Sequence, residues 1–257
     1  MTTGQEPVTL TTRDEVAYLC LDFPPLNILT CAMMKAIGDA LERVVADAGL
    51  KAVAFTAKGK AFSAGADVGE HAPELAPRLI DDFSRMFRLL GGLEVPVVMA
   101  VNGAALGAGF ELVLMGDVVL ASEKAKFGQP EIRLGFFAPV GVAYLPALVG
   151  IAKAMEITCS GRTYGAQEML DCGLVSRVTS PDELDAALES VLDEFRQASP
   201  LVMRLNVRTL KRLRGQPFEE ARCEAERVFL EELMKSADVK EGIASFFEKR
   251  KPVWKNR

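Results

Sequence analysis

The chain has 257 residues, 49% of them apolar and 25% charged, which suits one sizeable globular domain. Its net charge of −5 gives no general attraction for phosphate backbones, and the one compact basic run, Lys249-Arg250-Lys251, is short. Five scattered cysteines without a C-x-x-C pair suggest neither a metal site nor a disulfide framework. No stretch is long and apolar enough to cross a bilayer, and MTTGQEPVTL has no apolar leader core. The expectation is a cytoplasmic protein with reduced thiols and no nucleic-acid or membrane partner. The single histidine, His71, reads as a loop residue. A single loop histidine makes a Ser-His-Asp hydrolase or a histidine-rich metal centre hard to build, which pushes acid–base work onto carboxylates.

In chain order, Val16 to Phe23 mixes β-branched, aromatic and alternating apolar residues and reads as a strand ended by Pro24-Pro25. Met33, Met34, Ile37, Leu41, Val44 and Val45 then recur at helical spacing behind Asn27 and Thr30. Lys51 to Thr56 is a second strand, followed by the small-residue turn Ala61-Phe62-Ser63-Ala64-Gly65-Ala66-Asp67 and an acidic, proline-punctuated segment to Pro77. Leu79 to Leu93 is helical, with Ile80, Phe83, Met86, Phe87 and Leu90 on one face. Strand, loop and helix at this pitch predict βαβ-type units with right-handed crossovers, hence an α/β fold. Lys153 to Cys159, Gln167 to Leu170 and Glu183 to Ala198 read as helices. From Leu201 the chain is charged and helix-rich, so residues 1–200 form an α/β core and 201–257 a helical C-terminal region.

One stretch, Val97 to Glu131, carries the chemistry. Val97 to Val101 is a buried strand, broken by Asn102-Gly103, and Gly107-Ala108-Gly109 feeds a helix from Phe110 to Met115. A glycine-rich turn entering a helix presents unpaired N–H groups at the positive end of its dipole, where a developing negative charge can rest. Glu111 lies in the helix's first turn and Glu131 follows a second apolar run. An anion-stabilising turn with two acids suggests proton chemistry beside an oxyanion. The turns at Gly65 and at Gly107 both follow strands and are expected to face each other. Neither matches a dinucleotide or P-loop motif.

With these residues in view, the sequence resembles the crotonase (enoyl-CoA hydratase/isomerase) superfamily along nearly its whole length. The markers are Ala61 to Asp67, Asn102-Gly103-Ala104-Ala105-Leu106-Gly107-Ala108-Gly109-Phe110-Glu111, Phe127-Gly128-Gln129-Pro130-Glu131, and the tail from Ala237-Asp238 to Lys249-Arg250. The resemblance implies a spiral of ββα units in two sheets and a C-terminal helical region that builds homotrimers or dimers of trimers. It implies an acyl-CoA thioester as substrate, with no separate cofactor and no metal. The N–H groups of Ala66 and Ala108 would hold the thioester oxygen, a contribution of roughly 3–4 kcal/mol per donor in other enzymes. Glu111 and Glu131 would be the two acids of a hydratase, one activating water and the other protonating carbon. Ala64 and Val68 would meet the adenine, while Phe246 and Lys249 of a neighbouring subunit would cover the CoA.

The sequence departs from that pattern in two places. Pro25-Leu26 stands where relatives carry a basic residue that contacts a phosphate. Pro139, in Gly135-Phe136-Phe137-Ala138-Pro139, occupies the place of a glycine whose N–H helps hold the catalytic water, and proline has no N–H. With Phe136 and Phe137 adding aromatic bulk near the acyl site, this variant looks like the cyclohexa-1,5-diene-1-carbonyl-CoA hydratases. Hydration of an enoyl-CoA, with a cyclic diene favoured, is the leading expectation. A Δ3,Δ2-enoyl-CoA isomerase, in which one carboxylate shuttles a proton and no water adds, is the alternative; both glutamates favour the hydratase, and Pro139 weakens that preference. A non-catalytic acyl-CoA- or RNA-binding relative is a third reading, opposed by the acidic balance and the intact glutamate pair.

Overall fold

A computed structural model describes residues 6–257. Residues 1–5, within the stretch read as having no apolar leader core, lie outside the described residues.

The chain opens as an antiparallel hairpin of β1 (Val8–Arg13) and β2 (Val16–Leu21), in register from Val8 opposite Leu21 to Arg13 opposite Val16. Helix α1 (Cys31–Ala46) starts where Thr30 Oγ1 accepts from Met33 N at 3.1 Å, which satisfies one of the free N–H groups of its first turn. It buries Met33, Met34, Ile37, Leu41 and Val44, whereas Val45 faces solvent.

One pattern then repeats three times: a strand, a three-residue strand and a helix. The first unit is β3 (Ala52–Ala57), β4 (Ala61–Ser63) and α2 (Ala76–Gly91). The second is β5 (Val97–Val101), β6 (Ala104–Leu106) and α3 (Ala108–Leu114). The third is β7 (Val118–Ser122), β8 (Lys126–Gly128) and α4 (Pro139–Val149). After it come α5 (Ile151–Ser160), β9 (Thr163–Gly165), α6 (Ala166–Asp171), β10 (Arg177–Thr179) and α7 (Leu184–Arg196).

The longer strands build a six-stranded sheet in the order β1-β2-β3-β5-β7-β10, parallel from β2 onward. The three-residue strands build a second sheet, β4-β6-β8-β9, in which only β9 is antiparallel. The parallel crossovers expected from the sequence are present, but each carries an extra short strand, so the repeating unit is ββα. Each unit therefore visits both sheets before its helix returns, and the loops after β4, β6 and β8 gather together.

The large sheet is buried on both faces, which is why β3 and β5 are nearly continuous apolar runs. One face meets α1, α2 and α3. On the other, Ala52, Ala54, Val98, Ala100 and Leu120 pack under Leu184, Leu188, Val191 and Leu192 of α7.

From Pro200 every element is helical: α8 (Pro200–Leu213), α9 (Phe218–Glu231) and α10 (Ala237–Glu248). The last nine residues are irregular yet tied down. Asp238, 1% exposed, accepts from Ser199 Oγ (2.5 Å), Lys255 N (2.6 Å) and Asn256 N (3.0 Å). Asp238→Ala would strip partners from three donors at once. It is expected to cost about 2–4 kcal/mol and to expose the tail to protease, as read by denaturant unfolding and limited proteolysis.

Candidate active site

The site begins with two backbone N–H groups that the fold leaves without acceptors. Between β4 and α2, Ala66 forms an isolated parallel bridge with Leu29. Its hydrogen bonds run from Leu29 N to Gly65 O (2.9 Å) and from Asp67 N to Leu29 O (3.4 Å). Both bonds use the neighbours of Ala66 and turn its own N–H the other way. Between β6 and α3, Gly107 takes φ +51°, ψ −128°, a conformation suited to glycine, and swings the chain into α3. Ala108 is the first residue of that helix, where an N–H has no intrahelical acceptor. Neither Ala66 N–H nor Ala108 N–H finds an acceptor among the described residues.

The two turns lie against each other. A Cβ built on Gly65 would stand 2.9 Å from Leu106 O and 3.6 Å from Ala108 N. Both alanines line one cavity of about 410 Å³. Its walls are mostly apolar: Leu79, Ile80 and Phe83 of α2 on one side, and the segment Leu134 to Pro139 on the other. Ile80, assigned by its spacing to the buried face of α2, is half exposed because it faces this cavity.

Two carboxyl groups reach in. Glu111, in the first turn of α3, is 2% exposed. Its Oε1 accepts from Val140 N (2.7 Å) and Gly141 N (3.0 Å) at the start of α4. Pro139 is thus not a loop residue but the first residue of a helix. At that position a missing N–H matters little and a fixed φ helps. The N–H groups of the α4 terminus are directed at Glu111, and Pro139 itself lines the cavity.

Glu131 sits on the short 3₁₀ turn Pro130–Leu134, its carboxylate beside Gly107: a Cβ there would lie 3.5 Å from Oε2. Buried Gln129, with its amide oriented by hydrogen bonding, donates to Glu131 Oε1 and, at 3.2 Å, to Oε2.

Burial pushes the Glu111 carboxyl up to about 7, against the pull of the two α4 N–H groups and with repulsion from Glu131 adding to it. Burial also raises Glu131, against the pull of its own backbone N–H. Both carboxyls are thus harder to ionise than a free one, and because Glu111 Oε1 already accepts from two N–H groups, a proton on Glu111 would sit on Oε2.

His71 is more than the loop residue its surroundings suggested. It closes a 3₁₀ turn (Gly69–His71), lines the same cavity, and packs its ring on Phe136 with centroids 5.0 Å apart. Nothing in the sequence spacing marked it, since only the fold brings the Gly69–His71 turn onto Phe136.

Ala64, Ala66, Val68, Ala108, Glu111, Glu131, Phe136, Phe137 and Pro139 all line this one cavity. Phe246 and Lys249 do not. They lie on and just after α10, Phe246 is 77% exposed, and neither lines the chain's own cavity.

Two N–H groups without acceptors among the described residues, in one cavity with two buried carboxyls, form an arrangement able to polarise a carbonyl and move protons beside the resulting anion. Residues 11–257 match the enoyl-CoA hydratase/isomerase family. The cyclohexa-1,5-dienecarbonyl-CoA hydratase of Thauera aromatica is 36% identical over 234 residues, 91% of this chain and 90% of that one. A probable enoyl-CoA hydratase of Bacillus subtilis is 32% identical, covering 96% of this chain and 98% of its own. Among solved structures, the enoyl-CoA hydratase of Bacillus anthracis superposes with a TM-score of 0.93 at 27% identity, over 98% of this chain and all of that one. A Geobacillus kaustophilus enoyl-CoA hydratase subunit gives 0.90 at 31%, over 98% and 99%. The chain has the crotonase fold and belongs to the enoyl-CoA hydratase/isomerase family.

Proposed function

We propose that this enoyl-CoA hydratase acts on a cyclic, conjugated dienoyl-CoA. The observation that carries the reading is the cavity wall. Phe136, Phe137, Leu79, Ile80 and Phe83 together line the cavity, an apolar enclosure that suits a carbocyclic ring. The likeness to the Thauera aromatica enzyme, named for such a substrate, supports it.

In this reading the thioester oxygen accepts from Ala66 N–H and Ala108 N–H, which stabilise the enolate as charge develops. Ionised Glu131 takes a proton from water while the oxygen adds to the conjugated system. The electron pair moves to the thioester oxygen. Glu111 then delivers its Oε2 proton to carbon, and one molecule of water has been added. Proton return from Glu131 to Glu111 resets the pair. The water lies between the two carboxyls, without the backbone donor that Pro139 cannot supply.

We read Ala64 and Val68 as flanking the adenine. Phe246 and Lys249, remote from their own cavity, would cover the CoA of a neighbouring subunit in a cytoplasmic homotrimer or dimer of trimers. Exposed Phe229, Leu230, Phe246 and Phe247 on α9 and α10 support burial of that surface between copies.

An assay of crotonyl-CoA, a 3-enoyl-CoA and cyclohexa-1,5-diene-1-carbonyl-CoA tests the assignment. Fastest hydration is expected for the cyclic diene. Rapid crotonyl-CoA hydration with an inert diene would assign a linear substrate. Conversion of the 3-enoyl-CoA alone, without uptake of water, would assign the isomerase.

A further inference from the structure

Helix α4 starts without help from its own N-cap side chain. Ala138 has the extended conformation of an N-cap residue (φ −85°, ψ 107°), but a methyl group has no oxygen to offer the first turn. The N–H groups of that turn can be followed one by one. Pro139 has none. Val142 N donates to Ala138 O (2.9 Å), the first bond of the helix itself. That leaves Val140 and Gly141, and both donate to Glu111 Oε1, at 2.7 and 3.0 Å. One carboxyl oxygen from another helix thus does for α4 what a serine or aspartate at position 138 would do.

The contact is closely fitted. Glu111 is almost fully buried in the first turn of α3. Its second donor has no side chain, and a Cβ on Gly141 would stand 2.9 Å from Ala138 Cβ and 3.1 Å from the Gln129 amide. A larger residue there would push the start of α4 off Gln129.

The cap matters because of what precedes it. Residues 134–139 all line the cavity. Upstream they are tied by Gly135 N to Ile132 O (3.3 Å) and Phe136 N to Glu131 O (3.1 Å). Neither Phe137 N–H nor Ala138 N–H finds an acceptor among the described residues. Downstream the segment is held only where α4 begins. Fully buried Leu145 anchors the body of that helix, so Glu111 sets its first turn.

We propose that Glu111 is the N-cap of α4 and thereby positions Phe136, Phe137 and Pro139 against the acyl group, a role separate from its proton chemistry. The inference rests on the reading of this cavity as the acyl site. It ties the shape of the pocket to one of the two acids that would serve the reaction. Glutamine separates the roles, because it keeps an acceptor oxygen and has no acidic proton. Alanine removes both.

The test compares wild type, Glu111→Gln and Glu111→Ala by calorimetry with two unreactive thioesters. Cyclohexanecarbonyl-CoA has a ring but no double bond to hydrate, and acetyl-CoA has no ring to meet the wall. Glu111→Gln is expected to bind both as wild type does. Glu111→Ala is expected to bind acetyl-CoA equally well and the ring thioester about fivefold more weakly, the usual worth of a helix cap. Hydrogen exchange at Val140 and Gly141 should be slow in wild type and Glu111→Gln and fast in Glu111→Ala. Adding Ala138→Ser to Glu111→Ala supplies a cap from within α4 and should restore both readouts. Slow exchange in Glu111→Ala overturns the proposal, and so does a ring thioester whose affinity does not fall relative to acetyl-CoA. Should Glu111→Ala not fold, recovery of the fold on adding Ala138→Ser is the expected result, and no recovery overturns it. If wild type binds neither thioester, the acyl-site reading fails, while exchange at Val140 and Gly141 still decides the cap.

Discussion

Glu131→Gln is expected to lower kcat by roughly 10²–10⁴-fold, the usual worth of a positioned acid or base, while acyl-CoA still binds. Glu111→Gln is expected to lose a similar factor, since the amide keeps the acceptor for Val140 and Gly141 but has no acidic proton to give. The two differ in stability. The Glu111 carboxyl titrates near 7 in the folded chain against an ordinary value of 4.5. Below pH 4.5 it is protonated in both states and contributes nothing to the pH dependence. Between 4.5 and about 7 the folded chain holds a proton that the unfolded chain has released, so stability falls as pH rises through that window. Above it, the full cost of a buried charge, on the order of 3 kcal/mol, is present. Glu111→Gln removes this cost. The variant is expected to melt higher than wild type at pH 8 and to lose that advantage at pH 4.5, which paired thermal melts check. A mutant less stable than wild type at pH 8 would mean that the Val140 and Gly141 contacts outweigh the burial of charge.

The parts of this molecule that were legible in its sequence are those whose physics is local. Val97 to Val101 and Ala52 to Thr56 are apolar because both faces of their sheet are covered, and a buried parallel strand needs nothing else to declare it. The glycine turn into α3 is equally local: Gly107 needs a positive φ, and Ala108 follows as a helix's first residue. Strand β1 is different. Its threonines and Arg13 lie toward the exposed end of an edge strand, where no alternation is enforced. The second sheet was legible only through family resemblance, because three-residue strands are too short to show a period. Helix α4 was hidden by Pro139, Gly141 and Pro146, which ordinarily mark loops, although proline at a helix's first position is also a start signal. His71 was hidden for another reason. Its place in the cavity wall arises from contact between the Gly69–His71 turn and Phe136, some sixty residues later, and that is information about the fold rather than the neighbourhood. Phe246 and Lys249, which the resemblance placed over the CoA, do not line this chain's cavity.

Ala108→Pro is expected to remove half of the oxyanion site while leaving the fold intact. Proline at the first residue of α3 deletes an N–H that no protein group accepts, and helices favour proline there. The native state loses no hydrogen bond, and the unfolded chain loses some freedom, so the melting temperature should hold or rise slightly. Activity should not hold. Loss of one oxyanion donor costs other enzymes about 10²–10³ in kcat, and here the pyrrolidine ring also fills the place the thioester oxygen would take, so KM should rise as well. The contrasting variant lies one residue further on. A Cβ on Gly109 would stand 2.3 Å from Ser63 O and 2.8 Å from Ser63 Cβ, so Gly109→Ala must push the β4 loop away from α3. That variant is expected to lose activity and stability together, because the contact that brings the two turns together also packs α3 on β4. Stopped-flow hydration and thermal melts on both variants separate the two effects. An active Ala108→Pro would place the thioester oxygen elsewhere in the cavity and would reopen the assignment of the two N–H groups.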